Sequence, residues 1–221
     1  MRFIHTSDLQ YSGMVCRDRK MREPESIETK NAEFVIVTGN LTKNGFDGSS
    51  LGCINYGGDE YQLQGFTYKF MRTIERSGKS VYLCPGISDK GVSWSIYKPV
   101  IQYIRKRHKD VKYSFERGGI RFICCGIYPK DLKWLKKQLH FDKSHIIFFH
   151  YSLGGNSWTS AEKDAFAKVI APYYIAGILV GQSVISEIQS WCGHTVVQSG
   201  EAYSVITCED GQIAEIDYVH V

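Results

Sequence analysis

The side chains with the clearest chemical potential in this chain stand where apolar runs end. Asp8 closes Arg2-Phe3-Ile4-His5-Thr6-Ser7-Asp8, and Asn40 closes Phe34-Val35-Ile36-Val37-Thr38-Gly39-Asn40. Ser88 and Asp89 follow Val81-Tyr82-Leu83-Cys84-Pro85-Gly86-Ile87, His150 follows Ile146-Ile147-Phe148-Phe149, and Gln182 follows Ile178-Leu179-Val180-Gly181. Each is a β-prone run entering a polar loop. In open α/β sheets ligands bind just beyond the strands' carboxyl ends, so these loops are where a site is expected. Asp8 and His150 offer a carboxylate and an imidazole, both usable metal ligands. Gln10, Asn40 and Gln182 add neutral carbonyl oxygens, which suit hard cations but bind weakly without charge. Ser88 with His150 as base and Asp8 as orienter is another arrangement open to these residues, since geometry and not chain order defines a triad.

Each residue also has a plainer reading. A histidine ending an apolar strand is usually a hydrogen-bonded core residue, and an aspartate after a strand is usually a turn residue. Gly193-His194-Thr195-Val196 leads into a β-prone run, so His194 reads as an ordinary strand or turn residue. Basic clusters at 17–22, 105–109 and 130–137 read as solvated faces. Tyr11, Phe46, Tyr56 and Trp158 fall in expected loops and are candidates for the rim of a pocket.

The positioning elements follow from periodicity. Strands are expected at 2–6, 34–38, 80–84, 144–149 and 174–180, with continuous apolar runs suited to a sheet covered on both faces. Leu63, Phe66, Phe70, Met71 and Ile74 recur at helical spacing over 61–77, and Gly78 is a fitting stop. Helices are also expected at 94–107, 131–139 and 160–170, with a short one after Pro24. A hairpin is expected around Gly118-Gly119, and strands at 194–198, 202–208 and 212–219, the last two joined at Asp210-Gly211. Residues 11–31 read mainly as loop, and 41–60, with five glycines, as a long loop. The first half alternates strand and helix and the second is richer in hairpins. A single domain over 1–221, with two packed sheets and helices outside, fits best.

The 221 residues are 43% hydrophobic and 23% charged, an ordinary globular balance, and the formal charge of +4 does not by itself indicate nucleic acid. Seven cysteines, an odd number without Cys-x-x-Cys spacing, suggest a reducing, cytoplasmic setting. The N-terminus has no apolar stretch of signal-peptide length, and nowhere do 18 consecutive apolar residues occur, so no membrane partner is expected.

The order and spacing of the five loops resemble the calcineurin-like metallophosphoesterase superfamily. That family has D-x-H, G-D and G-N-H-D/E after its first three strands, then a lone histidine, then G-H-x-H. Arg-Phe-Ile-His-Thr-Ser-Asp is most similar to its DNA-repair exonuclease branch. The resemblance implies an α/β/β/α four-layer sandwich with two mixed sheets and two metal ions at the strand ends. Among positions Asp8, Gln10, Asn40, Ile87, His150, Gln182 and Val184, only Asp8 and His150 keep the family's residue type. Ser88 stands where the family's phosphate-directed histidine would be, beside Asp89.

The physics makes these replacements severe. Two divalent ions roughly 3.5–4 Å apart repel by on the order of 17 kcal/mol at an effective dielectric near 20. Asn40 supplies no bridging charge, and Ile87 and Val184 have no donor atom. The expectation is a catalytically inactive pseudoenzyme acting as a binding or scaffolding module, with a protein partner or an anionic ligand at the old pocket. No cofactor is expected beyond at most one weakly held Mn or Mg ion on Asp8 and His150. The alternatives are a hydrolase with an altered, at most mononuclear, metal site, and a nucleic-acid binder that does not cleave.

Overall fold

A computed structural model describes residues 1–11, 22–43, 59–90 and 99–221. Residues 44–58 of the expected loop at 41–60, residues 12–21 of that at 11–31, the start of the helix expected from 94, and Phe46 and Tyr56 lie outside the described residues. Eleven strands are described: β1 (Arg2–Thr6), β2 (Phe34–Thr38), β3 (Ser80–Cys84), β4 (Tyr113–Arg117), β5 (Ile120–Cys124), β6 (Ser144–Phe148), β7 (Ile175–Val180), β8 (Glu187–Trp191), β9 (His194–Gln198), β10 (Tyr203–Glu209) and β11 (Gln212–Val219). They form two sheets, ordered β11-β10-β1-β2-β3 and β4-β5-β6-β7-β9-β8. Both are mixed. β1 runs parallel to β2 and antiparallel to β10, while β5, β6, β7 and β9 are parallel and β4 and β8 are antiparallel edges.

Alternation along the strands makes the layers. Phe3, Phe34, Ile36 and Cys84 of the first sheet face Phe122, Cys124, Ile146, Phe148 and Leu179 of the second. Phe3 and Phe34, register partners, stack at 5.0 Å, and Phe122 meets both edge-on at 5.4 Å. The opposite face of the first sheet, including Ile4, Val35, Val37 and Leu83, is covered by helices. These are α1 (Glu23–Glu28), α2 (Asp59–Gly65), a π-helical stretch (Phe66–Met71), α3 (Arg72–Arg76) and α4 (Pro99–His108). Ile123, Ile147, Phe149 and Ile178 turn away from the second sheet's inner face, toward α5 (Leu132–Gln138) and α6 (Ser160–Ile170). The result is the expected α/β/β/α order of layers.

Three details depart from the sequence reading. The helix expected over 61–77 starts at Asp59 and is broken by a π-helical stretch. β8 has no counterpart among the expected strands, because its burial alternates only between half-buried and exposed and Ile188 and Trp191 are its sole large apolar residues. Its signal lies in the turn that follows. Cys192 and Gly193 both take positive φ, 48° and 79°, and join β8 to β9 as a two-residue hairpin. Tyr11 and Trp158 line no pocket rim. Tyr11 is buried against Phe66 and Phe70, and Trp158 against Phe149 and Phe166.

Candidate functional site

The ends of β1, β2, β3 and β7 converge, and backbone bonds hold their loops in step. Asp8 N–H donates to Gly39 O at 3.1 Å, Gln10 N–H to Asn40 O at 2.8 Å and Gly181 N–H to His150 O at 3.1 Å. Asp8, Gln10, Asn40 and Gln182 all turn through the left-handed region, at φ 54°, 49°, 48° and 54°. For residues other than glycine this conformation is uncommon and is often found at functional turns. The turns lie very close together. A Cβ on Gly39, itself at φ 88°, would sit 2.5 Å from His150 Nδ1, and one on Gly86 would sit 2.1 Å from Asn40 N.

Asp8 is the centre of the polar network. Its Oδ1 accepts from Asn40 Nδ2 at 2.7 Å. Its Oδ2 accepts from the Gln182 backbone N–H at 2.9 Å and from Ser7 Oγ at 2.6 Å, a hydroxyl that also lies 2.8 Å from Thr38 O. The other end of the Asn40 amide faces Ser88: Oδ1 accepts from Ser88 N–H at 3.0 Å and lies 2.7 Å from Ser88 Oγ. The amide's orientation follows from chemistry, since a backbone N–H can only donate and a carboxylate only accepts. Asn40 therefore offers Asp8 its nitrogen, and its oxygen is turned to Ser88.

Asp89 lies beneath this network, fully enclosed. Its oxygens accept from the backbone N–H groups of Gly86 at 2.8 Å, Leu41 at 3.1 Å and Thr42 at 3.1 Å. It thus ties the loop after β3 to the loop after β2, while burial raises its carboxyl pKa against the lowering effect of these bonds. His150 is also buried. Its Nδ1 lies 2.8 Å from Thr38 O and so carries the proton, and its Nε2 has no hydrogen-bond partner among the described residues.

The remaining candidates sit further out. The Gln182 side-chain oxygen accepts from Ser157 Oγ at 2.9 Å, and the Gln10 side chain is exposed. Ile87 and Val184 are 48% and 74% exposed, as apolar points at the mouth of the loops. Sequence reasoning missed Ser7 and Ser157, because a serine in a loop carries no mark of which way its hydroxyl turns.

The donors and acceptors on hand decide what chemistry the loops can support. No relay links Ser88, His150 and Asp8: Ser88 Oγ is engaged by Asn40 and by Thr42 O at 2.9 Å. The two metal ions implied by the resemblance do not fit the donors either. Both Asp8 oxygens are occupied by hydrogen-bond donors, and Asn40 presents N–H where a bridging carboxylate would present oxygen. Among the described residues, no group of three or more His, Cys, Asp or Glu comes together as a metal cluster.

No protein-family model and no curated protein matches the sequence. Solved structures do. The chain superposes on GAP50, the anchor in the inner membrane complex of Plasmodium, with a TM-score of 0.58 at 11% identity, covering 100% of this chain and 89% of that one. It superposes on the phosphopantetheinyl hydrolase PptH of Mycobacterium tuberculosis with a TM-score of 0.51 at 11% identity, covering 90% and 89% of the two chains. At this identity the likeness concerns the backbone alone, and what it establishes is that this chain has the metallophosphoesterase fold.

Proposed function

We propose that this chain is a single-domain metallophosphoesterase-fold protein that has exchanged catalysis for binding, a pseudoenzyme working as a binding or scaffolding module. The observation that carries the reading is the amide of Asn40, bonded through nitrogen to Asp8 and through oxygen to Ser88. A group that donates to the carboxylate takes the place of one that would share a cation with it. Ile87, Val184 and Ile185, all exposed at the mouth of the loops, favour a protein partner over a small anion. GAP50, on the same fold, is described as an anchor. Buried free thiols at Cys84, Cys124, Cys125 and Cys208 suit a cytoplasmic placement, and among the described residues no helix is long and apolar enough to cross a membrane.

One observation favours the hydrolase alternative: the Nε2 of His150, which has no hydrogen-bond partner among the described residues, is a buried lone pair that one divalent ion could use. Elemental analysis, a melting curve with and without chelator, and hydrolysis of a generic phosphodiester with manganese separate the two. The expected result is no bound metal, an unchanged melting temperature and no turnover, because a ligand stabilises a fold only well above its dissociation constant. Manganese-dependent turnover that disappears in Asp8→Ala or His150→Ala would overturn the reading.

A further inference from the structure

We infer that Asn40 does in this chain the structural work a metal ion does in a dinuclear phosphoesterase site, and that the single change Asn40→Asp makes the fold depend on a divalent cation. The inference rests on the metal-free reading above and goes beyond it, because it names the residue that makes the fold indifferent to metal.

The two oxygens of Asp8 are not equivalent. Oδ2 has two donors, the Gln182 N–H and Ser7 Oγ, whereas the hydrogen bond described at Oδ1 comes from Asn40 Nδ2. Asn40 cannot move aside. It is only 8% exposed, its backbone holds the Gln10 N–H, its φ is 48°, and Gly86 is pressed against its backbone and its side-chain oxygen. An aspartate at this position keeps the same shape and the same Ser88 contacts on one oxygen. Its other oxygen then falls where Nδ2 lies, 2.7 Å from Asp8 Oδ1. A donor facing a carboxylate becomes a carboxylate facing a carboxylate, enclosed by the same loops. A proton or a cation between the two oxygens would relieve the contact, and a divalent ion with carboxylate ligands is the stronger solution at neutral pH.

The same geometry predicts a rescue without metal. In the exchange Asp8→Asn with Asn40→Asp, the amide and carboxylate trade places. The oxygen of the amide now at position 8 can accept from Gln182 N–H and Ser7 Oγ, and its NH2 can donate to the carboxylate now at position 40.

The test is thermal melting of five proteins, each in chelator and in millimolar Mn2+ or Mg2+: wild type, Asn40→Asp, Asn40→Ala, Asp8→Asn and the Asp8→Asn/Asn40→Asp exchange. In chelator Asn40→Asp should melt about 5–10 °C below wild type, and either cation should return most of that shift. Asn40→Ala should also fall but show no cation response, since it adds no charge. The exchange variant should recover at least half of the loss in chelator, lose the cation response, and melt above Asp8→Asn. If Asn40→Asp does not fold in chelator, the exchange variant still decides the question, because recovery without cation supports the inference and failure to recover overturns it. Equal melting of Asn40→Asp with and without cation would overturn this inference alone. A wild type that purifies with metal, or that cation stabilises, would overturn the metal-free reading beneath it.

Discussion

Asp89 shows what a single carboxylate does when every nearby group is a donor. It receives three backbone N–H groups and lies 3.3 Å from the Thr42 hydroxyl, with no cation among these partners. Removing it strands buried N–H groups on two loops at once, so Asp89→Ala should cost about 3–5 kcal/mol. Ser88→Ala, which removes one hydroxyl and leaves the Ser88 N–H on Asn40, should cost only about 1 kcal/mol. Denaturant titration of both variants checks the contrast, and a loss in Asp89→Ala no larger than that in Ser88→Ala would refute it. At this scale the sequence is legible in part. Asp8, Asn40, Ser88 and His150 stand out because each ends an apolar run. The conformation that joins them does not: asparagine and aspartate advertise left-handed turns, but nothing in a glutamine does, and Gln10 and Gln182 take the same φ region.

Between elements, His108 at the end of α4 makes a junction that titrates. Its Nε2 accepts from the Leu83 N–H on β3 at 3.2 Å, and its ring stacks on Tyr113 of β4 at 4.3 Å. Burial, reinforced by the neighbouring Arg107, pushes its pKa down to about 4. The folded state thus holds this imidazole neutral while the unfolded chain takes up a proton below about 6.5. Stability is fully present above that pH, falls as pH drops, and levels off below about 4, for a total of about 2–3 kcal/mol. His145 and His194, also lowered by burial, add slopes of the same sign. The quantity to measure is therefore the difference between wild type and His108→Gln, whose amide oxygen can still accept the Leu83 N–H. The variant should lose less stability between pH 6.5 and 4, and parallel curves would count against the junction. Helices and strands are mostly readable because their apolar faces repeat with period. β8 is not, since an edge strand with two large apolar residues has too little burial to impose one.

For the whole molecule, the layered order is legible because nearly every central strand is apolar on both faces, which demands a cover on each side. The sequence does not show which faces meet. That depends on the register that stacks Phe3 on Phe34 and sets both against Phe122, and register is a property of pairs of strands. The same inner layer holds thiols that can act as a clock. Cys84 and Cys124 lie between the sheets, and the Cys84 Sγ donates across the interface to Gly126 O at 2.9 Å. Burial raises the pKa of Cys84 well above its usual value and raises that of Cys208 to about 11, so little thiolate forms while the layers are closed. Cys192, at the tip of the β8–β9 hairpin, is exposed. In a pulse of an aromatic disulfide reagent read by peptide mass spectrometry, Cys192 should be modified at once. Cys84 and Cys124 should be modified together, at the rate at which the sheets part. If that rate equals global unfolding measured by fluorescence, the two sheets form one cooperative unit; a faster rate would mean that the sandwich opens along its middle before it melts.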